Sequence, residues 1–190
     1  MFHNFKIKKD LFTIIYNGID SEAIEETCRK TIPEEEEIWF SKVKTIITAG
    51  RLTYAKGQWH LIRAFSHVLK EASDAKLVIF GTGELETYLK RLVREYGIED
   101  SVYIKGFDTE LDKYIARSAV FAFPSMLEGM PTALLEAMAC KTAVVITDFK
   151  SGAREILDYP LDKQIEGMIE TKYGLITPVC SGTYHEATEG

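Results

Sequence analysis

Arg51 and Lys56 form the first pair of residues whose types and spacing could do chemistry. They follow an apolar stretch and are flanked by Gly50 and Gly57 in "GRLTYAKG". A guanidinium binds phosphate oxygens through two hydrogen bonds, and an ammonium acts as a point charge. A lone Arg and Lys are most simply solvated surface cations, but their place between a predicted strand and a predicted helix favours an anion site.

Glu128 and Glu136 form a second pair, in "EGMPTALLEAMAC". Nearly every side chain from Pro131 to Cys140 is apolar, which predicts a buried helix over 131–141. A buried carboxylate without a partner is costly, so Glu136 needs a partner or a purpose. An ion pair with a neighbouring Arg or Lys and a hydrogen bond to a ligand both satisfy that requirement, and the sequence leaves the two open.

The start of this helix, "GMPT" at 129–132, is a further candidate for ligand binding. Pro131 suits a first helical turn, and the free N–H groups there attract anions. An ordinary helix start is the plain alternative. Glu128 would repel a phosphate, so we expect it to face a neutral, hydroxyl-bearing part of a ligand. Glu136 lies about two turns further on and could point into the same cleft.

Gly81 and Gly83 in "GTGE" match only part of a dinucleotide fingerprint, because Glu86 occupies the third glycine position. This weakens a nicotinamide or flavin hypothesis. The alternative is a tight turn that lets backbone approach a ligand. The chain also has no Asp-x-Asp pair, no Walker loop and no metal-ligand spacing. We therefore expect no metal site.

Alternating apolar runs and amphipathic stretches define the predicted fold class as α/β. Such alternation predicts a parallel sheet with helices on both faces, with ligands at the carboxyl ends of the strands. The predicted strands are 43–50, 76–81, 101–106, 120–125, 142–147 and 173–177. The predicted helices are 56–73, 83–97, 110–118, 131–141 and 152–158.

The composition excludes several classes of protein. A net charge of -6 argues against nucleic-acid binding through bulk charge, although it leaves room for a local basic pocket. Three cysteines without metal-type spacing suggest free thiols in a reducing compartment. No apolar run is long enough for a membrane span, and the first residues make a poor signal peptide. We expect a cytoplasmic protein, with peripheral association at the inner membrane as an open alternative.

The two ends differ from the middle of the chain. The acidic run Glu34 to Glu37 is most simply a solvated connector or helix face. We expect an inter-domain linker and the start of the domain at 1–20, the domain at 21–178 and a polar tail at 179–190. The chain is expected to be part of something longer.

Taken together, these residues resemble the donor-binding, C-terminal domain of retaining glycosyltransferases of the GT-B fold, family four. The match runs from about Tyr16 to Pro178. It rests on "YNGID", "GRLTYAKG", "LVIFGTGE", "VYIKGF", "FPSMLEGMPTALLEAMAC" and "SGAREIL" in this order. The resemblance implies a Rossmann-like domain that forms one half of a GT-B fold.

The resemblance also implies a role for each candidate residue. Arg51 and Lys56 match the pair that neutralises the donor diphosphate, Glu128 the carboxylate that contacts the donor sugar, and Glu136 the glutamate that binds the ribose. The remaining positions match a turn lining the nucleotide (Gly81, Gly83), the region of the base (Lys105, Gly106, Phe107), and a loop whose amides meet sugar and phosphates (Gly129, Met130, Pro131, Thr132).

The implied activity is transfer of a sugar, with retention of configuration, from a UDP- or GDP-linked donor. The acceptor would be a glycan or a lipid-linked molecule, as in cell-surface polysaccharide synthesis, and no metal would be required. The family's acceptor-binding domain and C-terminal crossover helix have no counterpart in the match. The chain alone is therefore expected to bind donor and to transfer little or no sugar.

Three other functions stay open at this level. A nucleotide-sugar epimerase of the same fold would release free sugar without an acceptor. A non-catalytic nucleotide-binding module would bind donor without turnover. A Rossmann dehydrogenase is disfavoured by the missing third glycine and by Gly106, which stands where an acidic residue would close the next strand.

Overall fold

A computed structural model describes residues 13, 15, 17–42, 44–149 and 152–180. Most of the predicted linker at 1–20 and the tail from 181 onward lie outside the described residues, as do Tyr16 and Ser151 of the two motifs that contain them. The secondary-structure elements run from Ser21 to Thr177.

One sheet, seven-stranded in the described part of the chain, has the order β3-β2-β1-β4-β5-β7-β6. Its strands are β1 Thr45–Ala49, β2 Lys76–Phe80, β3 Val102–Lys105, β4 Val120–Phe123, β5 Ala143–Thr147, β6 Ile169–Glu170 and β7 Leu175–Thr177. Every neighbouring pair is parallel except β6 with β7. The six predicted strands are confirmed, whereas the two-residue antiparallel β6 is too short to leave a periodic signal in the sequence.

The helices of the described residues are α1 Ser21–Cys28, α2 Glu34–Lys42, α3 Gln58–Glu71, α4 Glu86–Glu95, α5 Asp112–Ile115, α6 Thr132–Ala139 and α7 Ala153–Ile156. They include the five that the sequence predicts, α2, whose acidic run the sequence left open as a connector or a helix face, and α1, which it does not predict. None of them has both the length and the apolar character of a membrane-spanning helix. A short 3-10 turn at Tyr54–Lys56 precedes α3.

Helices α1 and α2 have clear local causes. The Asp20 carboxylate accepts a hydrogen bond of 3.0 Å from the Ala23 amide and so caps α1. The acidic run fills the first turn of α2, where negative charge interacts favourably with the helix dipole. The run is therefore a helix face rather than a connector. Glu36 and Glu37 are only half exposed and pair with Lys105 and Arg117.

The sheet separates two hydrophobic cores. Helices α3 and α4 cover one face, where Trp59, Ile62 and Leu89 are fully buried. Helices α5, α6 and α7 cover the other, and the side chain of Phe40 in α2 packs at the edge of that core. This arrangement places helices on both faces, as the alternation of elements predicts.

Helix α6 differs in one respect from the buried helix predicted over 131–141. Only Leu134 and Ala137 within it are buried, and Thr132 is exposed. The helix starts one residue after Pro131, which serves as its N-cap, and ends at Ala139. It packs one face on the sheet core, and α1 and α5 cover the rest only in part. Apolar composition therefore predicts the helix correctly but overstates its burial.

Candidate functional site

The loops that follow β1 and β2 touch through their backbones, and this contact requires glycine. A Cβ atom on Gly81, whose φ is +142°, would lie 2.0 Å from the carbonyl oxygen of Gly50. A Cβ on Gly83 would lie 2.4 Å from the carbonyl oxygen of Leu52. Both glycines thus let the two loops pack against each other, and Gly81 also faces the cavity described next.

A cavity of about 240 Å³ opens at the carboxyl ends of β1 and β2. Four of the predicted site residues line it together: Arg51, Gly81, Phe107 and Glu136. Asp108, Leu111 and Ala133 complete much of its wall. Phe107 is 78% exposed, so its ring stands at the cavity mouth rather than in a core. The cavity therefore combines a cation, two carboxylates, an exposed ring and bare backbone.

Glu136 projects from α6 into this cavity and is half buried. It forms no ion pair with any of the residues that the structure describes. Burial raises its pKa above the ordinary range of a glutamate, and the nearby Asp112 carboxylate raises the pKa further. Among the described residues, Glu136 therefore lacks the ion pair with a neighbouring Arg or Lys that the sequence left open.

Lys56 and Glu128 pair with each other. The distance from Lys56 Nζ to Glu128 Oε1 is 2.7 Å, and the two side chains are 23% and 10% exposed. Lys56 Nζ also lies 5.7 Å from the centre of the Phe123 ring. A backbone hydrogen bond of 2.8 Å, from the Met126 amide to the Ala55 carbonyl, joins the loops that carry the pair. The loop after β4 is thus tied to the loop after β1.

The segment Gly129 to Thr132 leads from this ion pair into α6. The buried Pro131 precedes the exposed Thr132, the first residue of the helix. A Cβ on Gly152 would lie 3.8 Å from the Gly129 carbonyl oxygen and 3.9 Å from Met130 Sδ, so the start of α7 borders this segment. The predicted sugar-and-phosphate loop therefore lies between the Lys56–Glu128 pair and α7.

Lys105 is the predicted residue that lies apart from this group. Its ammonium pairs with Glu36 and lies 4.9 Å from the centre of the Tyr114 ring. It lines a second cavity, of about 220 Å³, together with Trp39 and Tyr103. The family resemblance assigned Lys105 to the region of the base together with Gly106 and Phe107, but its side chain extends toward α2.

Gln58 is a residue of this region that the sequence analysis missed. It is the first residue of α3 and is 1% exposed, and its Nε2 donates a hydrogen bond of 3.1 Å to the Arg51 carbonyl. A glutamine directly after "KG" at a helix start was the available signal. Arg154 was also missed. Its guanidinium holds the Asp148 carboxylate through two hydrogen bonds of 2.8 and 2.7 Å.

The arrangement offers complementary contacts for a ligand with anionic and hydroxyl-bearing parts. Arg51 is exposed at the cavity edge, and Glu136 can accept hydrogen bonds from hydroxyl groups. The ammonium of Lys56 lies outside the cavity wall. Within the described residues, no three His, Cys, Asp or Glu side chains cluster in a way that could hold a metal ion.

Comparison with known proteins gives matches over most of the chain. An uncharacterised glycosyltransferase of Methanocaldococcus jannaschii is 32% identical over 176 residues, which cover 92% of this chain and 43% of that protein. The N-acetylgalactosamine-N,N'-diacetylbacillosaminyl-diphospho-undecaprenol 4-alpha-N-acetylgalactosaminyltransferase of Campylobacter jejuni is 40% identical over 153 residues, covering 80% of this chain and 39% of the enzyme. The chain thus spans less than half the length of these relatives.

Among solved structures, HepE from Anabaena in complex with UDP superposes with a TM-score of 0.72 at 21% identity, over 93% of this chain and 46% of that one. This likeness concerns the fold, and it confirms the predicted class: a Rossmann-like α/β domain with helices on both faces, one half of a GT-B fold. Residues 30–159 match the family described as glycosyl transferases group 1. The chain belongs to the group 1 glycosyl transferases.

Proposed function

We propose that this chain is the donor-binding domain of a retaining, family-four glycosyltransferase that uses a nucleoside diphosphate sugar. The observation that carries the proposal is the shared cavity of Arg51 and Glu136. It lies at the carboxyl ends of parallel strands, where ligands of such sheets bind. Glu136 there is without a cationic partner among the described residues, as a carboxylate that binds a ribose would be.

The proposal gives each side chain one part of the donor. Glu136 accepts hydrogen bonds from the ribose hydroxyls, and Gly81 and Phe107 border the nucleoside. Arg51 and Lys56 stabilise the charge that builds on the departing diphosphate, in place of a metal. Glu128, held by Lys56 at 2.7 Å, faces the hydroxyls of the sugar. This ion pair would link the recognition of the sugar to the cation that assists departure of the nucleotide.

The rest of the reaction is proposed to depend on a partner domain. The chain spans 43% and 39% of the two relatives, so acceptor binding is assigned to protein beyond the match. The name of the Campylobacter relative specifies a diphospho-undecaprenol-linked glycan. A glycan or lipid-linked acceptor in cell-surface polysaccharide synthesis, at the cytoplasmic side of the inner membrane, fits that similarity.

Calorimetric titration of the chain with UDP, GDP, ADP, their common sugar conjugates and NAD, with and without magnesium, tests the donor assignment. The expected result is binding of one nucleoside diphosphate without metal, and loss of that binding in Glu136→Ala. Absence of nucleotide binding, or preferential binding of NAD, would contradict the proposal.

Transfer itself is tested in the protein that contains both domains. Arg51→Ala and Lys56→Ala should each lower the rate of transfer by about a hundredfold or more, since each removes a charge that stabilises the transition state. The anomeric configuration of the product, read by NMR, tests retention. Unchanged rates would refute the roles of the two cations, and free sugar formed without acceptor would favour the epimerase alternative.

A further inference from the structure

Gln58 is a polar residue in a buried position at the start of α3. Its side chain is 1% exposed, and the neighbouring Trp59 in the first turn of α3 is fully buried. Its Oε1 atom is buried and has no hydrogen-bond partner among the residues that the structure describes. A buried acceptor without a partner lowers stability. Stability of α3 therefore does not explain the choice of glutamine here.

The other end of the Gln58 amide makes a specific contact. Nε2 donates to the Arg51 carbonyl at 3.1 Å, and the same carbonyl accepts the Thr53 amide at 2.9 Å. Two donors on one carbonyl fix the orientation of the peptide that leaves Arg51. Gly50 has a φ of +152°, and a Cβ there would lie 3.9 Å from Gln58 Nε2, so the amide packs directly under the turn.

The middle of the same segment is held in a similar way. The indole Nε1 of Trp59 donates to the Tyr54 carbonyl at 3.4 Å, and the Tyr54 and Trp59 rings stack with their centres 5.6 Å apart. The first turn of α3 thus holds residues 51–56 at Arg51 and at Tyr54 through buried side chains. This segment carries Arg51 and Lys56.

We propose that Gln58 is a positioning residue for the donor diphosphate. By holding the Arg51 carbonyl, it fixes the segment 51–56 so that the guanidinium and the Lys56 ammonium face the same anion before the donor binds. The inference rests on the proposed function, because it assigns to Gln58 the preorganisation of those two cations. Preorganised groups bind more tightly because less order is lost on binding.

The test compares Gln58→Met with wild type in the full 190-residue chain. Methionine keeps the size of the side chain but cannot donate to the carbonyl. Gln164→Met is the matched control, since Gln164 is exposed on the surface. Calorimetry measures the affinities for UDP and UMP, or for GDP and GMP if guanine is the preferred base. A thermal melt checks that each variant is folded.

Gln58→Met should weaken binding of the diphosphate about tenfold and change binding of the monophosphate by no more than about twofold. Gln164→Met should change neither. A structural role alone would weaken both ligands equally, and that result would overturn the proposal.

Amide hydrogen exchange tests the inference without any nucleotide. In Gln58→Met, the amides of Thr53, Lys56 and Gly57 should exchange about tenfold faster, while the amides of α4 keep their wild-type rates. Unchanged exchange in this segment would overturn the role of Gln58 even if nucleotides bind. If wild type binds no nucleotide, the proposed function fails, whereas the exchange result still decides whether Gln58 fixes the segment.

Discussion

The loop after β1, residues 50–57, and the loop after β4, residues 124–131, contribute opposite charges to the site and are held by different means. Backbone contacts fix the first. A Cβ on Gly57 would lie 2.2 Å from the Pro124 carbonyl oxygen, and one on Gly81 would lie 2.0 Å from the Gly50 carbonyl oxygen. The second loop shares the Gly57 contact at its start, through Pro124, but its later part has room, because a Cβ on Gly129 would meet nothing within 4 Å.

This difference separates two tasks. The loop after β1 presents its cations from a backbone that cannot move without disturbing its neighbours, which suits a part of the ligand that does not vary. The loop after β4 presents Glu128 and leads into α6 through a segment with free space. Such a segment can accept a change of side chain, which suits the part of a donor that differs between enzymes.

Gly81→Ala should lower the free energy of unfolding more than any of the other substitutions. A small effect would contradict the view that backbone contacts fix the loop after β1. The new methyl group would clash with backbone and sit at a positive φ, so we expect a loss of about 3–5 kcal/mol in the free energy of unfolding. Gly129→Ala is the control, with an expected change within about 0.5 kcal/mol. Urea denaturation measures both. Equal effects at the two glycines would show that the loops are not held differently.

The Lys56–Glu128 pair is the contact that joins the two loops, and a double-mutant cycle measures its strength. Lys56→Met should destabilise the chain by about 1–3 kcal/mol, since Glu128 is largely buried. Adding Glu128→Gln should recover part of that loss. The exposed pair of Lys90 and Glu86 is the comparison and should contribute less than about 0.5 kcal/mol. A coupling energy near zero between Lys56 and Glu128 would mean that the loops are joined by backbone alone.

Glu136→Gln tests whether the half-buried carboxylate of Glu136 lowers the stability of the fold. The folded-state pKa of Glu136 is raised by burial, so its contribution to stability is present at low pH and is lost as the pH rises through that raised pKa. At neutral pH the variant should melt about 1–3 °C higher than wild type while binding the nucleotide more weakly. Below the pH at which a glutamate ordinarily ionises, the difference in melting temperature should disappear. A lower melting temperature at neutral pH would contradict the assignment.

Asp112→Asn should have the smallest effect on the protein. It tests separately whether the ionisation of Glu136 controls nucleotide binding. Asp112 lies outside the cavity wall, but its carboxylate helps to raise the pKa of Glu136. Removing its charge should lower the pH at which nucleotide binding is half lost and leave the affinity at neutral pH nearly unchanged. Titrations between about pH 5 and pH 8 measure this shift. An unchanged midpoint would show that the charge of Asp112 does not affect the ionisation of Glu136.

Much of the fold was predictable, because long amphipathic helices and buried strands have strong periodic signals. The strand at 43–50 and the helix at 56–73 are examples, each found within two residues of its predicted bounds at most. Helix α2 was left open between a helix face and a connector, because its first turn is a run of glutamates without apolar periodicity. The two-residue β6 had no pattern of its own.

The sequence predicted which residues form the candidate site, but it did not predict which of their side chains contact each other. The types and positions of Arg51, Gly81 and Glu136 indicated a cleft, and all three line one cavity. That Lys56 pairs with Glu128, or that Lys105 extends to Glu36, depends on distances between segments far apart in sequence. The hydrogen bond from Gln58 to the Arg51 carbonyl was also missed, although a glutamine directly after "KG" at a helix start was a signal that the sequence offered.

The parallel pairing of β1 with β4 also sets the order in which the site can form. The elements α3, β2, α4, β3 and α5 lie between β1 and β4 in the chain, so this pairing closes a long loop. Long-range parallel pairing is a slow step in folding. Arg51 follows β1, and Glu128 and Glu136 follow β4. A refolding chain should therefore gain nucleotide binding only in its late phase, after most of the helical signal has returned.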